Sequence, residues 1–374
     1  MTDCFQTFRV TAAFQVGAVL CLLSAAAELA GAPRLERENL LQFRDANGQV
    51  RPVRTTAEWQ QRRAEILRGM QDVMGPLPDR ARRVPLEVKV ESETDCGTYV
   101  RRAITYTAEP GGRVPAFLLV PKSVGDGKEP RPGILCLMPT NNTEGNRPVV
   151  GLGSPAAKPG RNYGQELADR GYVVIAPPYP LLADYQPDLK ALGYVSGTMK
   201  AIWDNIRALD VLEATPGVAR TGFGAIGHSL GGHNAIYTSV FDERIRAVVS
   251  SCGFDSFLDY MDERSWKPEK GWAQTRYMPR LLDYGRPEIP FDFHELAGAL
   301  APRAFLAIAP RGDTNFKWRS VDAIIAAARP VFALHRAADR LAVEHPDCPH
   351  DFPPEMREKA YAWLAKFLGA PAAL

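Results

Sequence analysis

What this chain has little of narrows it before any motif is read. Six cysteines in 374 residues are too few for the disulfide frameworks that hold small secreted domains together. Neither charge sign dominates: 45 Lys and Arg stand against 43 Asp and Glu, a net charge of +2 with no long run of either. The basic stripe of a nucleic-acid binder is therefore missing, and no nucleic-acid partner is expected. One apolar stretch, at the N-terminus, is long enough to draw notice, so a multi-span membrane protein is excluded and no stable membrane partner is expected. The sequence has no H-E-x-x-H, no zinc-spaced cysteine pairs and no P-loop, so neither metal nor cofactor is expected. With 45% hydrophobic and 24% charged residues, the chain is ordinary for a globular protein and is not a disordered one.

The apolar stretch spans residues 10–27, broken by Thr11, Gln15, Gly17 and Ser24 and followed by small residues up to Ala30. An apolar core ending in small residues is the pattern of a secretory signal, although Arg9 is its sole positive charge and Asp3 offsets it. Residues 1–30 are thus expected to be a signal peptide and the protein periplasmic or secreted. Removing them would leave Cys96, Cys136, Cys252 and Cys348, with Cys136 and Cys252 in apolar runs that suit buried free thiols.

Residues 31–131 read as a lead-in. Thr55 and Glu58 fit a capping box, Ile66, Met70, Val73 and Met74 follow at helical spacing, and Gly75-Pro76 stops the helix. Strand-like segments at 86–91, 99–107 and 114–120 follow as an antiparallel edge, with Pro110-Gly111-Gly112 turning between the last two. Residues 132–374 change rhythm. Short apolar runs at 133–138, 172–176, 222–226, 247–251, 304–309 and 341–344 alternate with helical stretches at 163–170, 199–213, 230–241, 321–328 and 355–368. Near-continuous apolar strands between helices predict a doubly wound, mostly parallel α/β sheet. Residues 254–300 interrupt the alternation and are rich in aromatic, Pro and Arg residues, a length and place that suit a lid. Trp203, Trp266 and Trp272 could form a sugar platform, but aromatics at such spacing are more often core.

The chemistry centres on Gly227-His228-Ser229-Leu230-Gly231, a G-x-S-x-G that follows a strand and opens a helix. In that context the glycines permit a turn tight enough to hold the serine oxygen clear of the sheet, beside backbone N–H groups at a helix start. Ser229 is the candidate nucleophile, and the Leu230 N–H is one candidate oxyanion donor.

The chain resembles the α/β-hydrolase superfamily, in its dienelactone-hydrolase-like and acetyl-xylan-esterase-like branch. The likeness runs from about residue 132 to the C-terminus, on GHSLGG at 227–232, APRGDTNF at 309–316 and HPDCPHDFPPE at 345–355. It implies the α/β-hydrolase fold and a Ser, acid, His order along the chain. His350, after the last strand and before Pro353-Pro354, is the implied base, with His345 as the rival. Asp313, after the penultimate strand, is the implied acid, with Asp255 as the rival. The second oxyanion donor comes from the loop after the 133–138 strand. Pro139 has no N–H there, so Thr140 or Asn141 is the candidate. The activity implied is hydrolysis of carboxylic esters, on small-molecule or carbohydrate substrates. A peptidase or lactone hydrolase would use the same triad, and a silent scaffold serving as a binding protein would not need it.

Overall fold

The computed structural model describes residues 33–124, 130–261 and 266–371. The expected signal peptide, residues 1–30, lies outside them. Among the described residues no helix is long and apolar enough to cross a membrane.

The lead-in begins with a small antiparallel pair, β1 (Gln42–Arg44) and β2 (Val50–Pro52), too short to leave a sequence signal. Helix α1 (Thr56–Met74) follows with its capping box in place. The Thr55 side chain accepts the Glu58 N–H at 3.2 Å, and Glu58 accepts the Thr55 N–H at 2.9 Å. It ends at Gly75, whose φ of 89° is one that a side chain disfavours. Strands β3 (Lys89–Asp95), β4 (Tyr99–Glu109) and β5 (Gly112–Pro121) form the antiparallel edge. β3 starts three residues later than the apolar pattern at 86–91 suggests. As an edge strand exposed along its whole length, it carries no buried face to mark its register.

The alternating part supplies β6 (Arg131–Leu137), α2 (Tyr163–Asp169), β7 (Val173–Ala176), α3 (Gly197–Ala214), β8 (Val218–His228) and α4 (Leu230–Phe241). After these come β9 (Ile245–Ser251), α5 (Phe293–Ala299), β10 (Ala304–Ile308), α6 (Trp318–Leu334), β11 (Leu341–Glu344) and α7 (Pro354–Leu368). One nine-stranded sheet runs in the order β11-β10-β9-β8-β6-β7-β5-β4-β3. It is parallel from β11 to β7 and antiparallel beyond. β6, β7, β9 and β10 are almost wholly buried, as strands covered on both faces must be. The order reverses between β6 and β8, and in open α/β sheets ligands bind outside the carboxyl ends of strands at such a point.

Among the described residues of 254–300 there are three short 3-10 turns and α5, which has its own capping box from Asp292 and Glu295. The lead-in clamps α5: Arg34 pairs with Glu295 at 2.6 Å and Arg37 with Asp292 at 2.9 Å. On α3 the buried Lys200 ammonium sits 2.5 Å from Asp204 and 2.9 Å from Glu109, binding the helix to the end of β4. Trp203, Trp266 and Trp272 are all buried, the core alternative to a sugar platform.

Candidate active site

The turn from β8 into α4 leaves room for backbone and little else. A Cβ on Gly227 would lie 2.2 Å from the Gly231 carbonyl carbon, and one on Gly231 would lie 2.0 Å from the Leu137 oxygen. Both positions therefore exclude any side chain, which accounts for both glycines of the G-x-S-x-G. Between them Ser229 adopts φ 55° and ψ −122°, a conformation sparsely populated for a residue with a Cβ. Its N–H donates to the Ser251 carbonyl at 2.8 Å and its carbonyl accepts the His233 N–H at 3.1 Å, so neighbours on β9 and α4 fix the strained residue from both sides.

Two loops bring the partners. The loop after β10 carries Asp313, and the loop after β11 carries His350. They are stitched together by Arg311 N–H to Pro346 O at 3.0 Å and Gly312 N–H to Cys348 O at 3.1 Å. His350 Nε2 lies 3.0 Å from Ser229 Oγ, and His350 Nδ1 lies 2.8 Å from Asp313 Oδ2. A carboxylate can only accept, so the ring hydrogen belongs on Nδ1 and the Nε2 lone pair faces the serine hydroxyl. Asp313 is anchored in turn: its Oδ1 accepts the N–H groups of Asn315 at 2.7 Å and Phe316 at 3.1 Å, and its side chain is only 1% exposed. The Phe316 ring packs at 5.9 Å from His350, and the His228 ring at 5.0 Å. Burial, with the nearby Arg161 and Lys158 charges, holds His228 well below the usual imidazole range, so it stands neutral beside His350.

The rivals are placed elsewhere. His345 spends both ring nitrogens away from Ser229, with Nδ1 2.7 Å from the Ala309 carbonyl and Nε2 2.8 Å from Asp322. Asp255 is fully buried after β9, where Oδ2 accepts the Lys317 N–H at 3.0 Å and Oδ1 has no partner. Desolvation pushes its carboxyl up to about 8. His233 packs rather than hydrogen-bonds: it stacks on Trp272 at 4.2 Å, and neither ring nitrogen finds a partner.

Ser229 and His350 open into a cleft of about 560 Å³, the size of a small-molecule site. Its remaining wall is His228 and the loop after β6, residues 139–161, including Thr140 and Asn141. The Asn141 carboxamide is spent on its own turn, accepting the N–H groups of Thr143 at 3.0 Å and Glu144 at 2.8 Å. Thr140 Oγ1 lies 3.3 Å from the Tyr277 hydroxyl, and Arg276 reaches Asn142 at 2.8 Å. The 254–300 segment thus backs the 140–142 loop, while supplying no lining residue of the cleft among the described residues. Much of this wall, Lys158 and Arg161 above all, had no periodicity or motif to expose it in the sequence.

Among the described residues, one group of His, Cys, Asp or Glu side chains has the spacing of a metal site: Cys252, Asp313 and His350, with ligand atoms within 4.8 Å. The Asp313–His350 hydrogen bond already accounts for two of the three. The Cys252 thiol donates to the Asp351 carbonyl at 3.2 Å, and burial pushes it well above the usual thiol range.

Comparison with known proteins places the chain beside carbohydrate esterases. A family model described as fungal glucuronyl esterase matches residues 193–335, which contain Ser229 and Asp313 and stop short of His350. The 4-O-methyl-glucuronoyl methylesterase of Phanerochaete carnosa is 26% identical over 45% of this chain and 45% of its own length. The putative hydrolase YtaP of Bacillus subtilis is 24% identical over 82% of this chain and all of its own. The match spans less than half the length of the fungal esterases. A glucuronoyl esterase structure from Solibacter usitatus superposes with a TM-score of 0.69 at 21% identity, over 89% of this chain and 98% of that one. A putative acetyl xylan esterase from Bacteroides fragilis superposes at 0.59 and 17% identity, over 90% and 82%. Strand order, the strand–serine–helix turn and these structural neighbours converge: the chain has the α/β-hydrolase fold.

Proposed function

We propose that this protein is a serine hydrolase of carboxylic esters, with Ser229 as nucleophile, His350 as base and Asp313 as the acid that orients it. The observation that carries the reading is the unbroken relay from Ser229 Oγ through both nitrogens of His350 to Asp313, at 3.0 and 2.8 Å. Ser229 Oγ attacks the ester carbonyl and its proton passes to His350 Nε2. The tetrahedral adduct collapses, and the leaving alcohol takes that proton. Water, deprotonated by His350, then cleaves the acyl-serine and releases the acid. Asp313 keeps the proton on Nδ1 and balances the imidazolium that forms. The Leu230 N–H, with that of Thr140 or Asn141, is assigned to the oxyanion; each such donor is worth about 3 kcal/mol of barrier.

Apart from the imidazoles of His228 and His350, the cleft wall is Thr, Asn, Ser, Lys, Arg and Glu with Pro and Ala, and holds no Leu, Ile, Val, Met, Phe, Tyr or Trp. A long acyl chain would find no large aliphatic side chain there, whereas a hydroxyl-rich ligand would find donors and acceptors. A carbohydrate ester is therefore the substrate class we favour, in keeping with the names of the relatives. The apolar 10–27 stretch supports export to the periplasm or exterior, where such substrates occur. Residues 132–374 are assigned as the catalytic core and 31–131 as its lead-in. The cover expected of 254–300 takes a narrower form, its Tyr277 and Arg276 contacts setting the 140–142 loop. Steady-state hydrolysis of 4-nitrophenyl acetate tests the assignment. Ser229→Ala is expected to lose about 10⁴-fold or more in kcat/KM with an unchanged circular dichroism spectrum. Activity retained by that variant would remove Ser229 from the mechanism.

A further inference from the structure

The cleft wall is cationic, and one of its cations is unspent. Lys158 and Arg161 both line it, against a single acidic lining residue, Glu144. The Glu144 carboxylate is already committed, accepting the Ser154 N–H at 2.6 Å. Arg161 is 6% exposed and held in place by Asp351 at 2.8 Å and the Pro159 carbonyl at 3.3 Å. Lys158 is exposed and makes no hydrogen bond or ion pair among the described residues. The contrast with Lys200 is direct: that ammonium is buried and answered by two carboxylates, so it serves the fold. Lys158 is answered by none and faces the space a substrate must enter. Both cleft cations also lie near enough to His228 for their charge to reach its ring, which sits beside His350.

We propose that Lys158 and Arg161 form a subsite for a carboxylate on the substrate, so that the preferred ester is borne by an acidic saccharide with a free carboxylate near the scissile bond. This rests on the esterase reading for its biological meaning, but the anion subsite can be measured without catalysis. Lys158 supplies the adaptable charge. Arg161, fixed by Asp351, supplies a positioned guanidinium whose geometry matches a carboxylate.

The test compares digalacturonate with the neutral disaccharide of the same linkage, as ligands in calorimetry and as inhibitors of 4-nitrophenyl acetate hydrolysis. The full chain is used, with Lys158→Ala and Lys158→Glu alongside. The wild type is expected to bind digalacturonate several-fold more tightly than the neutral sugar. Lys158→Ala should cut that preference by up to about fivefold, the size of one exposed ion pair, and Lys158→Glu should abolish or reverse it. Raising the salt from about 0.02 to 0.5 M should shrink it as well. Equal binding of the two sugars by the wild type, or a preference that both variants keep, overturns the proposal. Hydrolysis without charge preference would defeat this inference and leave the esterase reading standing. Charge preference without hydrolysis would do the reverse.

Discussion

Two loops at neighbouring strand ends each offer an aspartate, and they have been built for different work. After β10, Asp313 collects three donors: two backbone N–H groups on one oxygen and His350 Nδ1 on the other. After β9, Asp255 collects one, from Lys317, and leaves its second oxygen buried without a partner. Both follow a strand of the same sheet, and both are almost inaccessible to solvent. Position after a strand therefore does not join an acid to a histidine; the donors that the surrounding loops aim at it do. Asp313 is met by a turn of its own making and by a stitched pair of loops that presents His350. Asp255 is tied instead to the residue just before α6, four residues past Asp313.

Substitution by asparagine should separate the two sites. Asp313→Asn keeps the shape but removes the charge and the preference for hydrogen on Nδ1. A loss of about 10³–10⁴-fold in kcat is expected, as in the Ser-His-Asp template, read by ester hydrolysis at neutral pH. Asp255→Asn should leave kcat/KM at the wild-type value at pH 7. A collapse there comparable to that of Asp313→Asn would make Asp255 the working acid. The smaller difference lies in stability. The Asp255 carboxyl titrates near 8 when folded and near 3.8 otherwise, because burial penalises its charge. Between those values the unfolded chain has released a proton that the folded chain keeps, so this group makes stability fall as pH rises from about 4 to about 8 and adds no further slope above. Asparagine removes that slope. Unfolding free energies of variant and wild type from urea titrations should agree near pH 4, and the variant should be more stable by roughly 4–6 kcal/mol near pH 9. Parallel pH profiles would show that Asp255 is ionised in the fold at low cost.

The same contrast shows where the sequence was legible. The strands that hold the site are buried on both faces and announce themselves as apolar runs. The Gly227–Gly231 turn is legible because a Cβ at either end would meet backbone atoms at 2.0 to 2.2 Å, which forbids any other residue there. The α5 capping box, Asp292 and Glu295, was equally present in the sequence but lay inside an irregular aromatic stretch that hid it. β3 has no buried face, so its register could not be read from hydrophobicity. Chain order and resemblance already favoured Asp313 over Asp255 and His350 over His345; the loop-to-loop hydrogen bonds that bring Asp313 to His350 have no pattern along the chain. The 139–161 wall is polar and aperiodic. Its one hint was a lysine and an arginine flanking Pro159-Gly160, which means little until the wall folds over Ser229.

The most direct test of the central claim is intact-mass analysis after exposure to a fluorophosphonate probe, on the wild type, Ser229→Ala and Asp313→Asn. The relay predicts one adduct on the wild type, none on Ser229→Ala, and slow formation of the same adduct on Asp313→Asn. An adduct on Ser229→Ala at the wild-type rate, or none on folded wild-type protein, would contradict it.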